Sequence, residues 1–208
     1  MQYWNSLLTD KSWNALLKLK KEPIKFILIG GWAVFLWTQQ IKSKDIDIII
    51  TNFDDLSYLK QRYTLNKNNK LKKYEMNIEN IDVDLYLIHY SQLGIPIKEI
   101  CDKTSSINGI ELPNPYVLLI LKQTAELSRR DTIKGKKDQI DILTILFYSE
   151  IDFVAYKKLL EEYKLDGYIK RLKTIVKTFK DIKYLNLNPR EFKLKKQALL
   201  KKIDVAHL

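Results

Sequence analysis

The chain has 208 residues, 46% of them apolar, and a formal net charge of +11 that is mostly lysine. That content can bury one ordinary core or two small adjoining ones, and the charge favours polyanionic partners such as RNA, DNA or nucleotides. One cysteine, Cys101, and two histidines, His89 and His207, exclude an internal disulfide, a zinc site of cysteine pairs and a His-rich centre, so any catalytic metal must sit on carboxylates. No run approaches the roughly 20 apolar residues that span a bilayer. The opening MQYWNSLLTDKSWNALLKLKKE lacks the basic-then-apolar order of a signal peptide. A cytoplasmic protein with no membrane partner is expected.

In chain order, Trp4 to Lys20 predicts an amphipathic helix with Trp4, Leu7, Leu8, Trp13, Leu16 and Leu17 on one face. After Pro23, KFILIG reads as a buried strand ending at Gly30-Gly31, and WAVFLWTQQ as a buried helix in which Trp32 and Trp37 are core. KDIDIIITN is a β-branched strand, followed by a helix over 53–62. Residues 66–73 form a lysine-rich loop or hairpin, and 74–78 and 81–89 two strands joined at Glu79-Asn80 as a hairpin. INGIELPNP suggests a short strand before Pro113 and Pro115. Helices are expected over 115–129, 136–148, 153–163, 165–180 and 189–202, the last with Pro189 in its first turn. The fold class is α/β (α+β): a small mixed sheet with helices over residues 1–110, joined to a helical domain over 111–208.

Side chains alternate across a strand, so Asp45 and Asp47 share a face, as do Asp82 and Asp84. If their strands are neighbours, the two pairs converge in the oxygen-rich setting that magnesium prefers. Two such ions can activate an attacking oxygen and stabilise a leaving pyrophosphate. Upstream, Gly30-Gly31 at a strand-to-helix turn offers bare backbone N–H groups that suit a triphosphate.

The order ILIGGWAVFLW, SKDIDIII, IDVDLYL resembles the nucleotidyltransferase superfamily pattern of apolar-Gly-Gly/Ser, Asp-x-Asp/Glu and a later single carboxylate between apolar residues. The resemblance covers about residues 25–90. It implies transfer of a nucleoside monophosphate from a nucleoside triphosphate to an acceptor hydroxyl, dependent on Mg2+ or Mn2+. Asp45 and Asp47 would then be catalytic metal ligands, with Asp84 favoured as the third carboxylate and Asp82 the alternate. Gly30 and Gly31 are the expected nucleotide contacts, with Ser43 and Lys44 ahead of Asp45. Many relatives carry an arginine shortly before Asp-x-Asp; here only Lys42 and Lys44 stand there.

The segment LPNPYVLLILKQTAELSRRDTIKGKKDQIDILTIL looks like the helical region of AbiEii-type and related stand-alone nucleotidyltransferases. The resemblance assigns Lys122 and Arg129 or Arg130 to substrate phosphates, and Lys137, Asp138 and Asp141 to a Lys-Asp-x-x-Asp that orients those cations or touches the nucleotide. It further implies an RNA (tRNA) or protein acceptor and an antitoxin partner, as in the toxin of a toxin-antitoxin pair. Antibiotic-type small-molecule acceptors and a non-catalytic RNA-binding protein are the alternatives. Tyr156, Tyr163, Lys164, Tyr168, Lys170, Arg171, Lys173, Lys177 and Lys180 interleave aromatics with cations, a second candidate surface for single-stranded nucleic acid.

Overall fold

The computed structural model describes residues 6–205, which divide into compact units, one ending at Asn114 and one beginning at Pro115. The first unit is a seven-stranded mixed sheet with helices. Its elements are α1 (Ser6–Leu19), β1 (Phe26–Ile29), α2 (Gly30–Thr38), β2 (Ile46–Ile50), α3 (Phe53–Arg62), β3 (Asn66–Asn68), β4 (Lys73–Ile78), β5 (Ile81–Leu87), α4 (Ile97–Cys101), β6 (Thr104–Ile107) and β7 (Ile110–Pro113). The strand order is β3-β4-β5-β2-β1-β7-β6. β2 runs parallel to β5 and β1 parallel to β7, while the other neighbours are antiparallel.

The centre of the sheet is buried because its strands are apolar almost throughout. Ile46, Ile48, Ile49 and Ile50 of β2, with Val83 and Leu85 of β5, are shut off from water, while β5 alternates, with Asp82 exposed and Asp84 and Tyr86 partly so. The β4–β5 connection is the two-residue hairpin read from the sequence: Glu79 and Asn80 both have positive φ, and Asn77 Oδ1 accepts from the Asn80 amide at 2.7 Å. The expected single strand around INGIELP is instead half of a second hairpin, β6–β7. Its tip, Asn108-Gly109, takes the positive φ at both positions that a type I′ turn requires.

Helix α1 turns a different stripe inward from the one expected. Thr9, Ser12, Ala15, Leu16 and Leu19 are buried, whereas Leu7 and Leu17 are exposed; Trp4 lies outside the described residues. The polar Ser12 is drawn in because its hydroxyl accepts from the indole N–H of Trp32 at 2.8 Å, and Trp13, Trp32 and Phe35 pack as an aromatic cluster around it. Trp37 donates to the Pro113 carbonyl at 2.9 Å.

The second unit is helical: α5 (Pro115–Arg129), α6 (Ile133–Tyr148), α7 (Phe153–Glu162), α8 (Tyr168–Thr178), a 3₁₀ turn (Ile182–Leu185) and α9 (Pro189–Val205). Helix α6 begins ahead of the expected residue 136 because Thr132 caps it, accepting from the Gly135 amide at 3.1 Å. Helix α8 starts later than 165 because Gly167, at φ +85°, ends the preceding turn in the left-handed region. Among the described residues no helix is long and apolar enough to cross a membrane.

Because Trp32 has no access to water, replacing Ser12 with Ala strands a buried indole donor. Urea denaturation should show a loss of about 1–3 kcal/mol, and an unchanged midpoint would remove this anchor of α1.

Candidate active site

The parallel β2–β5 ladder sets Asp47 directly beside Asp84. On either side, Ile29 pairs with Asp47 from β1 and Glu75 pairs with Asp84 from β4. Directly opposed residues of neighbouring strands point to one face, so Asp47, Asp84, Glu75 and, two residues along β4, Lys73 line the same face. The buried ammonium of Lys73 contacts Asp84 Oδ2 at 2.5 Å and Glu75 Oε1 at 3.0 Å. Tyr86 adds a hydroxyl 3.5 Å from Asp47 Oδ1.

Two carboxylates this close resist sharing negative charge. Burial, reinforced by the Asp47 charge, pushes the Asp84 carboxyl up to about 6 against the opposing pull of Lys73. Lys73 moves the other way from its own burial: desolvation would lower it, but the hydrogen bonds to Asp84 and Glu75 outweigh that and hold it charged. The two partners thus do not balance, since Asp84 faces a second anion as well as its lysine.

Gly30 closes the site from the β1–α2 turn. It sits at φ +69°, and a Cβ there would stand 2.0 Å from Asp47 Oδ2, so glycine alone lets the backbone pass over that carboxylate. The Asp47 carboxylate therefore abuts the N-terminal turn of α2, where the helix dipole favours negative charge. Gly31 follows, buried, in the same turn.

The remaining candidates of this unit spread outward. Asp45 is exposed and immediately precedes β2, and Asp82 is exposed on β5, accepting from Asn77 Nδ2 at 3.2 Å. Ser43 is buried and Lys44 partly so, while Lys42 pairs with Asp10 at 2.7 Å. Among the described residues no three His, Cys, Asp or Glu side chains are gathered into a group that could hold a metal ion. What the register brings together is the pair Asp47–Asp84.

The candidates of the helical unit find partners in one another. Lys122 contacts Asp141 at 2.7 Å and Asp138 at 3.9 Å. Arg129 grips Asp138 with two hydrogen bonds, Nε at 2.7 Å and a terminal nitrogen at 2.9 Å. Asp138 and Asp141 are buried, so this four-residue network joins α5 to α6. A second network, with no signal in the sequence pattern, centres on fully buried Glu126, which accepts from both Nε and a terminal nitrogen of Arg171 and from Gln139 at 2.8 Å. Burial alone would raise Glu126, but Arg171 and Gln139 hold it low.

The tyrosine–lysine surface expected on α7 and α8 is corrected by the same packing. Tyr156 and Tyr168 are core residues. Tyr156 donates to the Gln123 side chain, and Gln123 donates to the Tyr168 carbonyl at 2.9 Å, so neither ring is open for stacking. Tyr156 lies on the buried side of α7 with Leu159 and Leu160, and Tyr168 on that of α8 with Leu172, Ile175 and Val176, a role that aromatic spacing alone does not separate from an outer one.

No family model matches the sequence, and no curated protein does. Solved structures with a similar course include an antigenic nucleotidyltransferase-like protein from Paracoccidioides brasiliensis, at 15% identity and TM-score 0.41 over 67% of this chain and 75% of that one. JHP933 from Helicobacter pylori matches at 18% identity and TM-score 0.42, over 95% and 93% of the two chains. ANT(2")-Ia, solved with adenylyl-2"-tobramycin, matches at 11% identity and TM-score 0.43, over 95% and 99%. Likeness at this level identifies neither an activity nor a substrate.

Asp84 and Lys122 yield opposite stability tests. A carboxyl raised on folding from the ordinary 3.8 to about 6 stabilises the fold below the lower value, and that contribution is lost as pH rises through about 6, a difference of roughly 3 kcal/mol. Asp84→Asn should therefore melt with a flatter pH dependence than the native chain between pH 4 and 7; parallel curves would contradict the raised value. Lys122→Met leaves Asp141 buried without its cation and should cost about 3–5 kcal/mol in urea denaturation. A near-neutral effect would return Lys122 to a ligand-binding role.

Proposed function

We propose that the chain is a nucleotidyltransferase that moves a nucleoside monophosphate from a nucleoside triphosphate to an acceptor hydroxyl with the help of Mg2+ or Mn2+. The observation that carries this reading is the register pair Asp47–Asp84, closed over by Gly30 at a strand-to-helix turn. A carboxyl whose proton affinity is raised by burial and a neighbouring anion, as at Asp84, is a feature of functional sites, and a hard cation is the natural relief for an all-oxygen pair. The pair fits magnesium, which is held by one or two carboxylates and completes its shell with water and substrate phosphates.

Asp47 and Asp84 would hold the ion, with Asp45 the third candidate ligand and Asp82 the alternate. A bound divalent ion supplies neutralisation of the phosphates and activation of the acceptor oxygen. The chain's own groups do the rest. Backbone N–H groups of Gly30 and Gly31 at the α2 N-terminus suit a phosphate. Lys73 sets the position of Asp84 and spreads the negative charge of the face. Ser43 and Lys44, in the loop ahead of β2, would add the nucleotide contacts that the family resemblance implies. An RNA, tRNA or protein hydroxyl as acceptor, and an antitoxin partner, rest on the AbiEii-type resemblance of the helical half and belong to this proposal.

A second reading has its own observation. Lys73 already pairs with Asp84, an arrangement that suits a protein that kept the scaffold without turnover and binds RNA through its positive charge.

One assay separates the two: transfer of label from each α-labelled nucleoside triphosphate to RNA and to protein, with Mg2+ or Mn2+, by the native chain and by Asp47→Asn. The expected outcome is transfer that falls roughly 100- to 1,000-fold in the variant, the several kcal/mol that metal charge stabilisation contributes. Transfer undiminished in Asp47→Asn, or absent for every nucleotide, defeats the enzymatic reading.

A further inference from the structure

A second site lies on the other face of the same sheet, at the opposite end of β2. Ile50 and Leu87 pair where β2 and β5 finish, and both stand on the face away from Asp47 and Asp84, since each lies three positions, an odd number, beyond its aspartate. There the strand ends, α3 and the segment after β5 enclose a cavity of about 310 Å³, within the range of small-ligand sites. Its floor is apolar: Ile50, Leu56, Leu87 and Ile88. Among the described residues, no acidic side chain lines it. Of the acids in the first turn of α3, Asp55 accepts from the Lys25 amide and from Asn52.

The walls are aromatic and basic. Tyr74 and Tyr90 stand with ring centroids 5.8 Å apart, and Phe53 is 77% exposed at the start of α3. Lysine ammonium groups lie over the tyrosine faces: Lys60 at 5.5 Å and Lys67 at 6.0 Å from Tyr74, Lys67 at 4.8 Å and Lys72 at 5.6 Å from Tyr90. Tyr90 is anchored from behind. The Tyr90 hydroxyl donates to Asn69 Oδ1 at 3.1 Å, and Ser91 ties the segment to the Lys72 carbonyl at 2.5 Å. Lys60, Lys67 and Lys72 are exposed, so the rings can exchange a cation for a nucleobase, the ammonium groups moving to the flanking phosphates. The hydroxyls of Thr51 and Ser57 also line the cavity, where they can pair with a ribose 2′-hydroxyl.

We infer that the cavity between α3 and the ends of β2 and β5, walled by Phe53, Tyr74 and Tyr90 under Lys60, Lys67 and Lys72, is a docking site for single-stranded RNA. One unstacked base enters the cavity against the tyrosines, and the lysines hold the backbone phosphates on either side. Base–aromatic stacking and a positive rim are the combination that single strands require, and the chain's net charge of +11 favours their approach. The site needs no metal and no turnover, so it stands or falls apart from the proposed transferase activity.

The test is fluorescence anisotropy of the full chain with a labelled 12-nucleotide single-stranded RNA across a salt series, beside the same DNA sequence, an RNA duplex and polyglutamate as competitor. Tyr90→Ala should weaken RNA binding about 5- to 150-fold while Tyr90→Phe retains it. The exposed pair Lys67→Gln/Lys72→Gln, which leaves the core untouched, should reduce the salt slope by about 0.7 for each phosphate no longer neutralised. Native affinity in both Tyr90→Ala and the lysine pair overturns the site. Equal binding of DNA overturns the choice of RNA, and competition by polyglutamate as strong as by RNA reduces it to a charged surface without base recognition.

Discussion

Asp47 and Asp84 stand side by side because β2 and β5 run parallel in a register fixed by apolar burial. Ile46, Ile48 and Ile50 of one strand and Val83 and Leu85 of the other must share the covered face, and with a side-chain period of two, any single-residue slip would turn all of them outward. The hydrophobic effect thus does what the two carboxylates would never do unaided. It holds two anions at neighbouring positions, and the cost appears in the raised proton affinity of Asp84. Lys73 offsets part of it from β4, and Gly30 supplies the room that any larger residue would take from Asp47.

The helical unit solves the burial of charge differently. Asp138, Asp141 and Glu126 lie in its interior, and each meets a cation: Arg129 and Lys122 for the aspartates, Arg171 for the glutamate. Buried pairs of this kind contribute little net stability over an apolar equivalent, but they penalise any packing that separates them. The side chains that resemble a phosphate-binding set are, in this structure, satisfied by acids nineteen and nine residues away in sequence.

Much of this was legible in the sequence because it is local. The KFILIGG strand and turn, the alternating β2 and β5 and the Glu79-Asn80 hairpin follow from period and turn chemistry, and these place Asp45, Asp47, Asp82 and Asp84 on or beside strands. What the sequence leaves open is register and long-range pairing. Asp84 rather than Asp82 stands beside Asp47 only through the β2–β5 alignment. Lys73 reads as loop because its strand begins there, and Glu126 meets Arg171 across forty-five positions with no local signal. The misjudged face of α1 has a related origin: a helix apolar on several sides is oriented by one long-range contact, Trp32 to Ser12.

The same alternation that builds the acidic face builds the basic and aromatic one. Lys73 and Tyr74 are consecutive, so β4 sends its lysine to the carboxylates and its tyrosine to the opposite surface, where Tyr90 and Lys67 meet it. β2 divides likewise: Asp47 serves one face near its start, Ile50 the other at its end. The sheet keeps the carboxylates and the lysine-covered rings apart by its own thickness, within a few residues of one another along the chain. A shift of β4 by one residue would bring Tyr74 to Asp84 and Lys73 to the apolar cavity, removing both sites together. The pairing of Met76 with Val83, both buried, and of Tyr74 with buried Leu85 opposes that shift and is therefore the constraint that both surfaces share.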